Sequence, residues 1–195
     1  MDIKVEVSGQ TKAQLRETLK KIQARVRDRA VFIGIPQGSG EQDGMTIAYL
    51  GSIHEFGATI NHPGGTQYGY NSVDDAHDGK VRFQPTGKGV MALGVTGPHQ
   101  IIIPERSFLR VPLRAHTEDI KKAWRAIIPK VISGELTLLN GLHQIGSRAS
   151  AFCRDAIKEG ITPPNADSTI RKKKSSKPLI DHGILVSKIT YRVEV

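Results

Sequence analysis

One cysteine, Cys153, occurs in 195 residues. A single cysteine excludes an internal disulfide and a cysteine zinc cluster. It points to a reducing compartment, such as the cytoplasm, as the place of assembly. Its position inside a helical pattern marks a buried, inert thiol rather than a nucleophile. Aromatic residues are also scarce, at 5%, so the core has to rest on Ile, Leu, Val and Ala. No stretch approaches the roughly 18 apolar residues that span a bilayer, and no membrane partner is expected. The first residues, MDIKVEVSG, alternate and carry charge, which is not a signal-peptide pattern. Acidic residues are in deficit: 19 Asp and Glu stand against 28 Lys and Arg, a formal net charge of +9. That imbalance implies contact with a polyanion or with an acidic partner surface. Hydrophobic residues at 38% are enough for a folded chain with substantial loops.

Motifs for catalysis are lacking too. Gly38, Gly40 and Gly44 lie between a strand and a helix pattern, but their spacing is not that of a dinucleotide fingerprint. Gly87, Lys88 and Gly89 lack the rest of a phosphate-binding loop. His54-Glu55 would start a zinc-protease helix, yet Ala58 stands where the second histidine belongs, and His62 lies beyond Gly57 beside Pro63. No G-x-S-x-G occurs. The sequence therefore leads to no catalytic residue, no metal, no cofactor, no small-molecule substrate, and a protein that is not an enzyme.

The patterns that are present describe an α+β chain, an antiparallel sheet packed on several helices. Ile3, Val5 and Val7 alternate as a strand. Leu15, Leu19, Ile22 and Val26 form one stripe of an amphipathic helix. Residues 30–35 (AVFIGI) read as a strand, 37–44 as a glycine-rich loop, and 45–56 as a helix that Gly57 terminates. From 58 to about 100 glycine and proline recur and helical periodicity stops. This stretch, to residue 102, is expected to be a hairpin or loop insertion in a single domain, as a functional or interaction arm. After residues 101–103 and Pro104, a helix follows with Ile120, Trp124, Ile127 and Val131 on its buried face. A longer helix carries Leu138, Leu142, Ile145, Ala149, Phe152 and Ala156, and Gly160 closes it. Residues 161–178 read as a polar loop. Residues 184–195 read as one long strand with Ile189, Tyr191 and Val193 inward. Arg171, Lys172, Lys173, Lys174 and Lys177 form a basic loop without interleaved aromatics. A solvated surface loop, a nonspecific phosphate contact and a nuclear-targeting patch are the readings it allows, and base reading is not among them.

Three segments, in order, carry a resemblance. Residues 48–57 read AYLGSIHEFG, residues 103–110 read IPERSFLR, and residues 178–193 read PLIDHGILVSKITYRV. This order resembles the virion morphogenesis proteins of tailed bacteriophages, the tail-completion and neck proteins of the head–tail joint. Glu55, Phe56 and Gly57 match the first piece. Pro104, Arg106, Phe108, Leu109 and Arg110 match the second, with Ser107 where the family often has proline. Pro178, Leu179, Asp181, Gly183, Leu185 and Ile189 match the third, with His182 in place of a common threonine.

The resemblance implies a structural virion protein that forms a ring with itself, often six-fold, between portal connector and tail tube, with DNA passing through its lumen. Neck protein, tail terminator and head-side stopper remain alternatives, and their neighbours would be connector and tail-tube or tail-terminator proteins. Within the motif, Glu55 at a helix end has no favourable dipole and needs a cation, from Arg106 or Arg110, inside the subunit or across to a neighbour. Phe56 and Phe108 would anchor that pair, and Gly57 and Gly183 would supply turns. The basic residues 171–177 would face DNA or an acidic ring. Two rival readings stay open: a nonspecific nucleic-acid-binding module, and a small hydrolase using His54 and Glu55.

Overall fold

A computed structural model describes residues 13–194, apart from residues 15, 18, 19, 22, 23, 25–28, 86, 174, 175 and 181, with only the backbone at 168, 172 and 173. The expected strand at Ile3, Val5 and Val7 and the stripe Leu15, Leu19, Ile22 and Val26 lie outside the described residues. In that stretch Ala13, Gln14, Arg16, Glu17, Lys20, Lys21 and Ala24 are helical and exposed.

The chain divides into two compact units, Met1–Phe56 with Glu105–Val195, and Gly57–Pro104. Helices and antiparallel strands make up an α+β protein, as the patterning indicates. No described helix is long and apolar enough to cross a membrane.

In the larger unit, strand β1 (Ala30–Gly34) leads through the hairpin β2 (Glu41–Gln42) and β3 (Met45–Thr46) into helix α1 (Ile47–Phe56). Where the sequence reads a plain glycine-rich loop, the chain makes a tight two-residue turn. Asp43 and Gly44 both take positive φ, 52° and 77°, the conformation that a two-residue hairpin of the natural twist requires. Helix α1 consequently starts at Ile47, two residues later than its apolar pattern.

Helix α3 (Arg110–Ala115) and helix α4 (Thr117–Ser133) follow the second unit and meet at His116; α2 belongs to that second unit. The sequence reads them as one helix. Helix α5 (Leu138–Glu159) starts at Thr137, whose side chain accepts from the Asn140 N–H, and ends at Gly160. It buries Leu142, Ile145, Ala149, Cys153 and Ile157, residues at three- and four-residue steps on one helix face. Helix α6 (Asp167–Lys173) replaces part of the expected 161–178 loop.

The expected strand 184–195 is in fact two elements. Helix α7 (Ile184–Lys188) precedes strand β9 (Thr190–Glu194). Gly183, at φ 72°, turns the chain into a short helix closed by the Ser187 N–H donating to the Gly183 carbonyl at 3.1 Å. Strand β9 pairs antiparallel with β1, setting Ile33 opposite Tyr191 and Val31 opposite Val193. Of the residues expected to face inward, Tyr191 and Val193 lie in β9 and are half-buried, while Ile189, between α7 and β9, is buried.

The core of this unit gathers Ile47, Phe108, Cys153, Ile157, Leu185 and Ile189. Helix α5 lies against Tyr191, and Gly146 is the reason it can: a Cβ there would overlap the Tyr191 ring. We expect Gly146→Ala to destabilise the chain by about 1–3 kcal/mol in urea unfolding, despite alanine's better helix propensity, because overpacking a ring body outweighs a propensity gain of roughly 1 kcal/mol.

The second unit, Gly57–Pro104, contains strands β4 (Ala58–His62), β5 (Gln67–Tyr70), β6 (Arg82–Phe83), β7 (Met91–Val95) and β8 (His99–Ile103), with the short helix α2 (Val73–His77). β4 pairs with β8 along its whole length. The other three form a sheet in the order β6-β5-β7. Gln84 organises that sheet. Its side-chain amide donates to the carbonyls of Tyr70 and Met91 at 2.8 and 3.1 Å, and its backbone N–H to that of Gln67 at 2.8 Å. Gly69 and Gly89 leave the room its side chain occupies, since a Cβ at either would collide with it or with the Met91 carbonyl.

Candidate functional site

The first two segments of the resemblance meet at the carboxylate of Glu55. Glu55 sits on the last turn of α1, in the sequence that Gly57 ends at φ 73°. Helix α3 begins after Leu109, a residue whose side chain cannot cap it. Every helix start leaves N–H groups without an intrahelical partner. Glu55, more than fifty residues earlier in the chain, supplies what Leu109 cannot. Its two oxygens accept from the Leu109 N–H at 2.9 Å and the Arg110 N–H at 3.0 Å. The Ser107 hydroxyl donates to Glu55 at 2.6 Å and in turn accepts from the Val111 N–H at 3.2 Å. The next residue, Pro112, has no N–H to satisfy. The carboxylate also lies at the positive end of the α3 peptide dipoles.

Arg110 completes the cluster. Its Nε donates to Glu55 Oε1 at 2.9 Å, and its terminal nitrogen reaches both the Glu55 carbonyl at 2.7 Å and the Glu105 carboxylate at 2.8 Å. Its guanidinium lies over the Phe56 ring, 4.3 Å from the centroid. Glu55 is 3% exposed. Burial alone would raise its pKa, but the hydrogen bonds from Ser107, the Arg110 and Leu109 backbones and the Arg110 side chain outweigh that and hold it below the ordinary carboxylate range. The hydrogen bond to Glu55, with Glu105 adding, raises the pKa of Arg110 in turn.

Of the two cations the sequence offers for Glu55, the structure selects Arg110. Arg106 is buried elsewhere: its Nε and terminal nitrogen donate to the carbonyls of Pro163 and Pro164 at 2.8 and 2.9 Å, while its backbone N–H donates to the His54 carbonyl at 2.7 Å. Burial lowers the Arg106 pKa from the ordinary arginine value. Phe108 is a full core residue at 0% exposure, whereas Phe56 is 63% exposed and serves as the platform for Arg110 rather than as a buried anchor. Ser107, Glu105 and the two proline carbonyls are the participants that sequence reasoning missed. The signal for Ser107 was Leu109 itself, a helix start with no capping side chain, which calls for acceptors from outside the helix.

The third segment supplies core. Leu185 and Ile189 are buried beside Phe108, with Leu179, Ile180, Ile184 and Val186 packed around them. Gly183 makes the expected turn, and Asp181 lies outside the described residues. Cys153 is fully buried, and burial, with the nearby negative charge of Glu55, pushes its thiol up to about 11 against the opposing charge of Arg154. That is an inert thiol.

The basic stretch is not wholly a loop. Arg171, Lys172 and Lys173 lie in α6, Arg171 is exposed, and the Lys177 ammonium donates to the Lys158 carbonyl at 2.6 Å. Lys174 lies outside the described residues. Among the described residues, no three His, Cys, Asp or Glu side chains converge as a metal-binding set. In the His54-Glu55 pair, both Glu55 oxygens are engaged by the α3 start and Arg110.

The arrangement at Glu55 is a joint. It ties the end of α1 to the start of α3 on either side of the chain's excursion into the second unit. Comparisons with known protein families, with curated protein sequences and with solved structures yield no match.

Proposed function

We propose that this chain is a structural protein of a tailed-bacteriophage virion, forming an oligomeric ring at the head–tail junction as a neck, tail-completion or tail-terminator protein. It joins the tail tube to the portal connector and surrounds the DNA passage. The observation that supports this reading is the convergence of the three resemblance segments. Residues 48–57 and 103–110 share one buried carboxylate, and residues 178–193 close the same core through Leu185 and Ile189. Segments matched in order along a chain gain weight when they meet in space.

The charge distribution supports a passage for DNA. Gly57–Pro104 carries three acidic and three basic residues, so the whole +9 belongs to the other unit. A nonspecific nucleic-acid-binding module draws on the same charge, and its DNA affinity would fall steeply with salt for the isolated monomer.

Disruption of the gene in its phage is the test. The reading expects filled heads and separate tails that fail to join, rescued by the wild-type chain in trans. Normal infectious particles without the protein would refute it.

A further inference from the structure

The second unit buries almost nothing. Among its described residues only Gly69 and Gln84 are buried, and neither contributes an apolar side chain. Ten large hydrophobic side chains of this unit are exposed, among them Leu93 at 46%, Val95 at 64% and Ile102 at 70%. A sheet of two or three short strands without a covered apolar face has little stability of its own in water.

Strand β7 concentrates this feature. One side of it is bonded to β5, and it is the last strand of its sheet. Natural edge strands are blunted by charge, proline, a bulge or a covering element; β7 has an irregularity at Leu93, where its register against Tyr68 and Gly69 shifts. From Gly89 through Gly97 there is neither a charged residue nor a proline, and Met91, Leu93 and Val95 are exposed along it.

We propose that the β7 edge and the apolar side chains beside it are the surface through which one copy of this chain binds a second copy. The proposal deepens the ring reading and rests on it for oligomerisation as such. The choice of a second copy follows from charge. Unit Gly57–Pro104 is neutral, and its six charged residues all lie between positions 74 and 88, leaving β4, β5, β7 and β8 with none. Two chains of net charge +9 repel, and a neutral surface is where they can approach at least cost. A polyanion or an acidic protein would find no charge to pair with there. Backbone pairing along β7 would supply direction, and side chains such as Leu93 and Val95 the apolar contact.

Sedimentation velocity on the purified full-length chain, from 1 to 200 µM (about the range in which such interfaces form), tests this together with the double variant Leu93→Lys, Val95→Lys. Both positions are exposed, so the variant is expected to keep the wild-type circular dichroism and thermal midpoint. The wild type should associate reversibly, and the variant should weaken association about 100-fold or more. A wild type that stays monomeric throughout the range overturns the proposal, whatever the variant does. So does an unchanged association constant in a folded variant. Absence of the protein from phage particles would remove the virion reading alone, since these outcomes are read on the pure chain.

Discussion

Glu55→Ala should cost the larger unit about 3–5 kcal/mol, because buried donors are left without an acceptor at roughly 1–3 kcal/mol each. That is a large part of the total stability of an ordinary domain. Four donors lose their acceptor at once: the Ser107 hydroxyl, the backbone N–H groups of Leu109 and Arg110, and the Arg110 Nε. Arg110 also loses the charge beneath its Nε. Glu55→Gln keeps an acceptor and the shape and should lose roughly half as much.

The same joint predicts a pH dependence. The folded Glu55 carboxyl has its pKa lowered, because hydrogen bonds to the ionised form outweigh burial. Its stabilisation is therefore complete above the ordinary carboxylate pKa of about 4.3 and is lost as pH falls from there through the lowered folded value. Urea midpoints of wild type and Glu55→Gln, measured between neutral pH and pH 3, should converge at the acid end. A constant gap would mean that the carboxylate is not held ionised by the α3 start.

Phe108→Ala should have an effect of similar size by a different route. Phe108 is fully buried and lies in one cluster with Ile47, Cys153, Ile157, Leu185 and Ile189. Emptying that volume removes apolar contact and leaves a cavity, a loss of about 3–5 kcal/mol, while Phe108→Leu should lose about 1–2 kcal/mol. Unlike the Glu55 effect, this one should be the same at pH 4 and pH 7, because no group titrates in it. Denaturant unfolding at both values distinguishes a packing loss from an electrostatic one.

The long helices were legible because 17 and 22 residues give several turns over which a 3.6-residue period separates from alternation. Residues 184–188 were not. Five residues with three apolar ones in a row satisfy either period, and the decision falls to Gly183, whose left-handed backbone turns the chain into a helix. The Asp43-Gly44 turn carried a known hairpin signal, but its strands of two residues each were too short to alternate visibly.

That Glu55 needed a partner could be read from its place at a helix end. Which arginine it takes could not. Arg106 and Arg110 lie four residues apart in one segment, and what separates them arrives from elsewhere: the carbonyls of Pro163 and Pro164, 57 and 58 residues from Arg106, claim its guanidinium. The excursion 58–100 was recognisable as hairpin-rich from its glycines and from the alternation at Val81, Phe83, Val90 and Ala92. Alternation ordinarily announces a buried face, and nothing local in the sequence shows that Met91, Leu93 and Val95 are left uncovered. That is a property of the whole unit, in which Gly69 and Gln84 are the only buried residues among those described.

The larger unit carries its own core, whereas Gly57–Pro104, on the proposal above, is completed only when copies meet. Hydrogen exchange of the wild-type chain, followed by mass spectrometry at one concentration below association and one above it, addresses this most directly. Amides of α1, α3 and α5 should exchange slowly at both concentrations, and those of residues 90–95 slowly only at the higher one. Slow exchange of residues 90–95 in the dilute monomer would contradict it.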